Sequence, residues 1–210
     1  MQFSPKEKNT LCIAFRQLAY FLLCTALICL ITIATRKLGP EVFDENRLIE
    51  NMQFVLLLLS GLTFLVKGLV CKKAASVLLL CSSLAFLGCC READNILDVW
   101  IPILSWRIGF AFIIAASAYA IMHKADFRTA LFDFLTTPAF FLMCFAMIVI
   151  GPLAQLIGHK PFLLAALPSY HSVSQIKELF EECTETMGYF LLLLASIETC
   201  LCLHKETEAK

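Results

Sequence analysis

The sequence predicts an all-α, polytopic integral membrane protein, a bundle of six transmembrane helices with short loops. Its 210 residues are 60% hydrophobic and 16% charged, whereas soluble domains are about 45–50% apolar and about 25% charged. The mean hydropathy is +0.80. Six segments also approach the about 20 mostly apolar residues that one crossing needs. Because little chain remains between these segments, we expect residues 1–210 to form a single membrane domain.

The first three apolar segments cover residues 11–35, 48–66 and 74–90. Segment 11–35 is longer than the about 7–15-residue apolar region of a secretory signal, and no small-x-small cleavage pattern ends it. We therefore expect it to be a retained membrane anchor. The other two are separated by a short basic stretch that contains Lys72 and Lys73, which predicts a tight connection between neighbouring crossings.

The last three apolar segments cover residues 106–122, 138–157 and 180–203. Small residues such as Gly109 and Ala116 in the fourth segment favour close approach of a neighbouring helix. Gly151-Pro152 interrupts the fifth segment and predicts a kink, because proline removes a backbone donor and crowds the preceding turn. Pro152 should therefore bend that helix without ending the crossing.

Two longer connections contain apolar residues of their own. Residues 124–137 mix charged side chains with phenylalanine and leucine, which is typical of a segment lying at a membrane interface. Residues 159–172 enclose a short apolar run between two prolines, too short to span a bilayer. We expect this run to pack over helix ends or to dip into the outer leaflet as a lid.

Lysine and arginine counts predict that both termini are cytoplasmic, in an inner or plasma membrane. Cytoplasmic loops carry an excess of these residues. With the N-terminus inside, ten of the 17 basic residues lie on the inner side: Lys6, Lys8, Arg16, Lys67, Lys72, Lys73, Lys124, Arg128, Lys205 and Lys210. Seven lie outside: Arg36, Lys37, Arg47, Arg91, Arg107, Lys160 and Lys177.

An acidic stripe comes just before the last apolar segment. Glu178, Glu181, Glu182 and Glu185 have the spacing i, i+3, i+4, i+7, which places them along one side of a helix. If this helix begins near Val173, it is longer than the hydrocarbon core is thick, so its first turns belong to the interface. Glu185 is then the deepest acid of the stripe.

The second and third segments also carry polar residues at one end. Because successive crossings alternate in direction, these two ends lie at the same membrane surface as the acidic stripe. The second segment begins with "ENRLIEN" and the third ends with "CCREADN". Ionisable groups within spanning helices usually face a cavity or one another. The sequence therefore predicts one polar site, either a ligand-binding site or a structural polar network, made of Glu50, Asn51, Arg91, Glu92, Asp94, Glu181, Glu182 and Glu185. Within it, Arg91 and Glu185 are expected to share one electrostatic network, since pairing reduces the cost of burying either charge.

Three functions fit such a site. The first is binding of a small polar ligand, a cation or a lipid headgroup; the second is a noncatalytic structural or interaction subunit of a membrane complex. The third is a metal-assisted or acid–base lipid hydrolase, in which carboxylates with His159 or His171 would hold a divalent cation. No metal signature is present, so the sequence leaves catalysis open. The expected partners are the bilayer, with a lipid headgroup or another membrane protein, and not nucleic acid, because the formal net charge is zero.

Overall fold

The computed structural model describes residues 4–43, 47–100, 105–166 and 173–208, and every regular element in these ranges is helical. Five of the helices are long and apolar enough to cross a membrane, or six if one sharply bent pair of helices is counted as a crossing. The predicted class, an all-α polytopic membrane protein, is confirmed. The chain divides into two compact units, Met1–Val42 and Phe43–Lys210.

The first unit is dominated by a single long helix, α1 (Pro5–Leu38). The Ser4 side chain accepts a hydrogen bond from the Glu7 backbone N–H, and the Glu7 carboxylate accepts one of 2.7 Å from the Ser4 backbone N–H. These bonds fix the start of the helix and lower the pKa of Glu7, which lies outside the apolar stretch. Gly39, at φ 81°, ends the helix. The helix is thus longer than the predicted segment 11–35, because its polar first turn is stabilised by the cap.

The second unit contains nine further helices in its described residues. The first five are α2 (Leu48–Val70), α3 (Ala75–Glu92), α4 (Asp94–Trp100), α5 (Gly109–Met122) and α6 (Lys124–Leu135). The remaining four are α7 (Pro138–Ile148), α8 (Ala154–Ile157), α9 (Lys160–Ala166) and α10 (Val173–Glu208). Short 3-10 turns, Pro40–Phe43 and Ser105–Ile108, precede α2 and α5.

Two helices hold the second unit together. Helix α10 packs against α2 and α7, and α3 packs against α2 and α5. The α2–α3 contact includes a hydrogen bond of 2.9 Å from the Ser82 hydroxyl to the Gly61 carbonyl. Phe64 of α2 is completely buried. In this order of neighbours, α5, α3, α2, α10 and α7, helix α2 lies between α3 and α10, and the beginning of α2 and the end of α3 lie at the same end of the bundle.

The fourth predicted crossing is shorter than a regular span. Helix α5 ends at Met122, and the chain turns by 106° into α6, whose start at Lys124 agrees with the predicted interfacial segment. Close packing of α5 on α3 depends on Gly109: a Cβ atom there would lie 2.8 Å from the Leu87 Cα atom. This close approach is of the kind that the small residues of the segment predict.

The predicted interruption at Gly151-Pro152 is a π-helical turn, Val149–Leu153, between α7 and α8. Such a turn accommodates proline without ending the crossing. It also brings Ile150 against Gly188 of α10, where a Cβ atom would lie 3.0 Å from the Ile150 backbone nitrogen. The π-helical turn thus packs closely against α10 at Gly188.

The other differences from the predicted segments lie at helix ends. Helix α10 begins at Val173 and ends at Glu208, beyond the predicted 180–203 on both sides. Hydropathy marks only the apolar stretch, whereas the backbone hydrogen bonding continues through the polar turns that flank it. Part of the connection 159–172 is also helical, as α9, and its residues 167–172 lie outside the described ranges.

Candidate functional site

Four polar side chains follow one side of α10 through the middle of the bundle. Glu182, Glu185, Thr186 and Tyr189 have the spacing i, i+3, i+4, i+7 and therefore share a helix face. Glu185, Thr186 and Tyr189 are buried, and Glu182 is half-buried. This face meets polar groups from the beginning of α2 and the end of α3, so one side of α10 carries the site.

Arg91 in the last turn of α3 binds the deeper half of this face. Its Nη2 atom lies 2.8 Å from Glu185 Oε2, which joins α3 to α10 by an ion pair. The same nitrogen lies 2.8 Å from Oε1 of the adjacent Glu92. The Arg91 side chain is 46% exposed, whereas those of Glu92 and Glu185 are only 9% and 7% exposed. The guanidinium thus lies at the open edge of the site and the carboxylates lie beneath it.

Tyr189 completes this half of the site. Its hydroxyl accepts a hydrogen bond of 2.8 Å from Arg91 Nη2 and donates one of 2.7 Å to Glu92 Oε1. The four side chains of Arg91, Glu92, Glu185 and Tyr189 therefore form a closed hydrogen-bonded group in which each contacts at least one charged partner. Bonds to charged groups are stronger than neutral ones, which makes this group a strong connection between α3 and α10.

Gln53 of α2 binds the outer half of the α10 face. Its side chain is completely buried. The Nε2 atom donates to Glu182 Oε2 at 2.7 Å, to Thr186 Oγ1 at 3.0 Å and to the Glu182 backbone carbonyl at 3.2 Å. Within the described residues, its Oε1 atom has no hydrogen-bond partner. A buried carbonyl normally has a donor, so this atom is a candidate contact for a ligand or for ordered water.

We call these side chains the polar cluster; its members are Gln53, Arg91, Glu92, Glu182, Glu185, Thr186 and Tyr189. They come from three helices and join residues as much as 133 positions apart in the chain. The structure thus brings together four of the eight residues that the sequence predicts for a polar site: Arg91, Glu92, Glu182 and Glu185.

The contacts of the polar cluster described above do not include the other four predicted residues. Glu181 is paired with Lys177 at 3.0 Å and packs directly on Gly158, at the end of α8. Glu50 lies half-buried in the first turn of α2. Asn51 is exposed, and its side chain donates to the Arg47 carbonyl at 2.7 Å, one turn earlier. Asp94 begins α4, beyond the end of α3, and none of the cluster contacts above involves it.

The metal hypothesis stays a prediction. Across the described ranges, no group of three or more histidine, cysteine, aspartate or glutamate side chains is arranged to hold a metal ion. His159 is exposed just before α9, and His171 lies outside the described residues. The acids of the cluster instead use their oxygens to accept bonds from Arg91, Tyr189 and Gln53.

Three members of the cluster are absent from the sequence-based site: Gln53, Thr186 and Tyr189. Each had a usable signal. Tyr189 follows Glu185 by four positions, and Thr186 follows Glu182 by four, so the acidic stripe continues through both. Gln53 is an amide in an otherwise apolar run, and a buried amide needs partners. All three are neutral polar side chains within spanning segments, and that is the signal by which the sequence marks them.

The cluster can bind and orient a polar group, because it combines buried and half-buried acceptors with a cation at its open edge. The Glu182 and Glu185 carboxylates and Gln53 Oε1 are acceptors, and the Arg91 guanidinium is a donor. Similarity gives no further guidance: no protein-family model, no curated protein and no solved structure matches this chain.

Proposed function

We propose that this multi-pass membrane protein binds a small polar ligand, a cation or a lipid headgroup at the polar cluster. The observation that carries the proposal is the Arg91–Glu185 ion pair, which joins two apolar helices that pack on α2 rather than on each other and leaves nearly half of the arginine side chain exposed. Charged groups in spanning helices are costly and commonly mark binding sites.

The proposed site faces the outer leaflet, with both termini on the cytoplasmic side of an inner or plasma membrane. The distribution of lysine and arginine supports this orientation. The polar ends of α2, α3 and α10 then lie at the outer headgroup level, within reach of lipid headgroups and of water-soluble ligands. Entry from the bilayer or from the aqueous phase would pass the exposed edge of Arg91.

A structural or interaction subunit is the second candidate. The observation in its favour is the set of hydrogen bonds and ion pairs across two helices that joins Arg91, Glu92, Glu185 and Tyr189 to one another. A network of that kind can fix helix register with no ligand. The two candidates make different predictions: a binding site has a measurable affinity that depends on the cluster, whereas a scaffold has stability that depends on it and no affinity.

The test uses the purified full-length chain in lipid nanodiscs. We would measure binding of phospholipids with different headgroups and of divalent ions, and detect any product by mass spectrometry. Saturable binding that Glu185→Gln weakens, with the helical content unchanged, supports the proposal. The exposed Glu178 on the same helix provides the control, since Glu178→Gln should leave binding unaltered. Equal binding in both variants, or no binding in the native chain, would contradict it.

A further inference from the structure

We propose that the polar cluster takes a ligand with a positively charged ammonium group, held between α2 and α10 by Gln53 Oε1 and the Glu182 carboxylate. The inference rests on the proposed binding function and names the chemical class of its ligand. Two independent observations lead to it: the unpartnered carbonyl of Gln53, and an excess of carboxylates over cations in the cluster.

The first observation is the position of Gln53 Oε1. The Nε2 atom of the same carboxamide bonds to Glu182 and Thr186, so Oε1, attached to the same carbon, lies beside these two side chains. The whole side chain is buried, and in the described part of the chain no donor reaches this oxygen. A buried acceptor without a partner costs about 1–3 kcal/mol. A ligand N–H would supply the missing bond.

The second observation is the charge of the cluster. Arg91 is its only cation, and a single nitrogen of that guanidinium contacts both Glu92 and Glu185. Glu182 bonds instead to the neutral Gln53. In their charged forms three carboxylates therefore face one guanidinium. Glu181 does not add to the excess, because Lys177 lies 3.0 Å from it. Such an excess inside a spanning bundle favours a bound positive charge.

The geometry favours an ammonium group over a metal ion. An ammonium group has up to three N–H donors and no acceptor, which suits one carboxamide oxygen and one or two carboxylate oxygens. A divalent ion requires several ligands at once, and across the described residues no group of three acidic, histidine or cysteine side chains is placed to provide them. The ammonium group could belong to a lipid headgroup or to a soluble primary amine.

The experiment compares four probes on the native chain, purified and kept in its full length. These are phosphatidylethanolamine, the same lipid with its amine acetylated, phosphatidylglycerol, and free ethanolamine. We would measure affinity by native mass spectrometry and by the shift in melting temperature. The expected result is that the free amine or the amine-bearing lipid binds at least about tenfold more tightly than the acetylated lipid, one charge-assisted bond being enough for that ratio. Binding of ethanolamine alone identifies a soluble source, and binding of the lipid only identifies a headgroup.

Variants then locate the ammonium group. Gln53→Leu and Glu182→Gln should each reduce the affinity at least about tenfold, whereas Glu178→Gln, an exposed position on the same helix, should not. Equal binding of acetylated and unmodified lipid, or preference for phosphatidylglycerol, overturns the ammonium inference and leaves the proposed binding function intact. Absence of binding by every probe and by divalent ions overturns both. The comparison of probes on the native chain decides the inference even if a variant does not fold.

Discussion

Gln53 of α2 and Glu182 of α10, 129 positions apart in the chain, are joined by a hydrogen bond of 2.7 Å from Nε2 to Oε2. Gln53 also bonds to the Thr186 hydroxyl and to the Glu182 backbone carbonyl, so it makes three polar contacts between these two crossings. Because a buried carboxylate is stabilised by a donor, and a buried amide by an acceptor, neither side chain is well placed without the other. The outer half of the polar cluster therefore depends on the contacts of Gln53 with Glu182 and Thr186.

We expect Gln53→Leu to destabilise the protein by about 1–3 kcal/mol, because Glu182 Oε2 and the Thr186 hydroxyl then lose their amide donor. Thermal unfolding in detergent and in nanodiscs measures the change. Thr63→Val on the same helix is the control, since among the described residues the Thr63 hydroxyl bonds to the Leu59 carbonyl one turn earlier and not to another helix. If the Gln53 variant is as stable as this control, the amide contributes nothing to helix packing.

Tyr189→Phe removes one hydroxyl and keeps the ring. The hydroxyl connects Arg91 to Glu92, so its loss should reduce stability by about 1–3 kcal/mol, in the range of bonds to charged groups. Tyr119→Phe is the matched control, because the Tyr119 side chain is engaged through its ring, stacked on His123 at 4.3 Å. Equal melting temperatures for the two variants would show that the hydroxyl is not part of a working network.

Gly188→Ala tests the fit of the interrupted fifth crossing on α10. The added Cβ atom would lie 3.0 Å from the Ile150 backbone nitrogen and closer to the Ile150 side chain, so we expect a loss of about 1–3 kcal/mol from overpacking. At Gly151, one residue along the π-helical turn, a Cβ atom meets nothing within 4 Å. Gly151→Ala should therefore change the melting temperature little, and a loss at Gly151 as large as that at Gly188 would contradict the described packing.

Cysteine accessibility tests the proposed orientation. In a chain whose native cysteines are replaced, Glu178→Cys should react on intact cells with a thiol reagent that does not cross membranes. Lys72→Cys, in the turn between α2 and α3, should react only after the cells are opened. Both positions are exposed. The reverse pattern would place the polar cluster at the cytoplasmic surface.

The fold could be predicted from sequence because hydropathy and length act locally. Each apolar segment must form its own backbone hydrogen bonds in lipid, so it becomes a helix almost regardless of its neighbours. Helix ends were predicted less well. The first turns of α10 are largely polar, so hydropathy gives no signal for them. The apolar run 106–122 likewise gives no signal for the turn of 106° that follows it.

The cluster could be predicted only in part. Spacing along a helix shows on which face of that helix a residue lies, but it does not show which residues of other helices the side chain contacts. The sequence predicts that Arg91 and Glu185 pair, because Arg91 is the deepest charge of the third segment and Glu185 is the deepest acid of its stripe, and depth is readable from sequence. Gln53 carries no charge, so a search for ionisable side chains does not find it. Spacing alone groups Asn51 with the site, yet its side-chain amide donates a hydrogen bond to the Arg47 carbonyl one turn earlier.

A double-mutant cycle on Arg91 and Glu185 tests most directly whether the polar ends of α3 and α10 form one electrostatic network. We would compare Arg91→Gln, Glu185→Gln and the double variant by thermal stability in nanodiscs. Each single change leaves a charge without its partner across the 2.8 Å contact, whereas the double change removes both charges. The i,i+4 pair Lys177–Glu181 within α10, whose side chains are 37% and 22% exposed, is the control and should couple by only about 0.3–0.5 kcal/mol.

For Arg91 and Glu185 we expect a coupling energy of about 0.5–3 kcal/mol, with the double variant more stable than the sum of the two single losses predicts. The value should exceed that of the control pair, since the Glu185 side chain is only 7% exposed. Single losses that simply add, within about 0.3–0.5 kcal/mol, would show that the two charges act independently and would contradict a shared polar cluster.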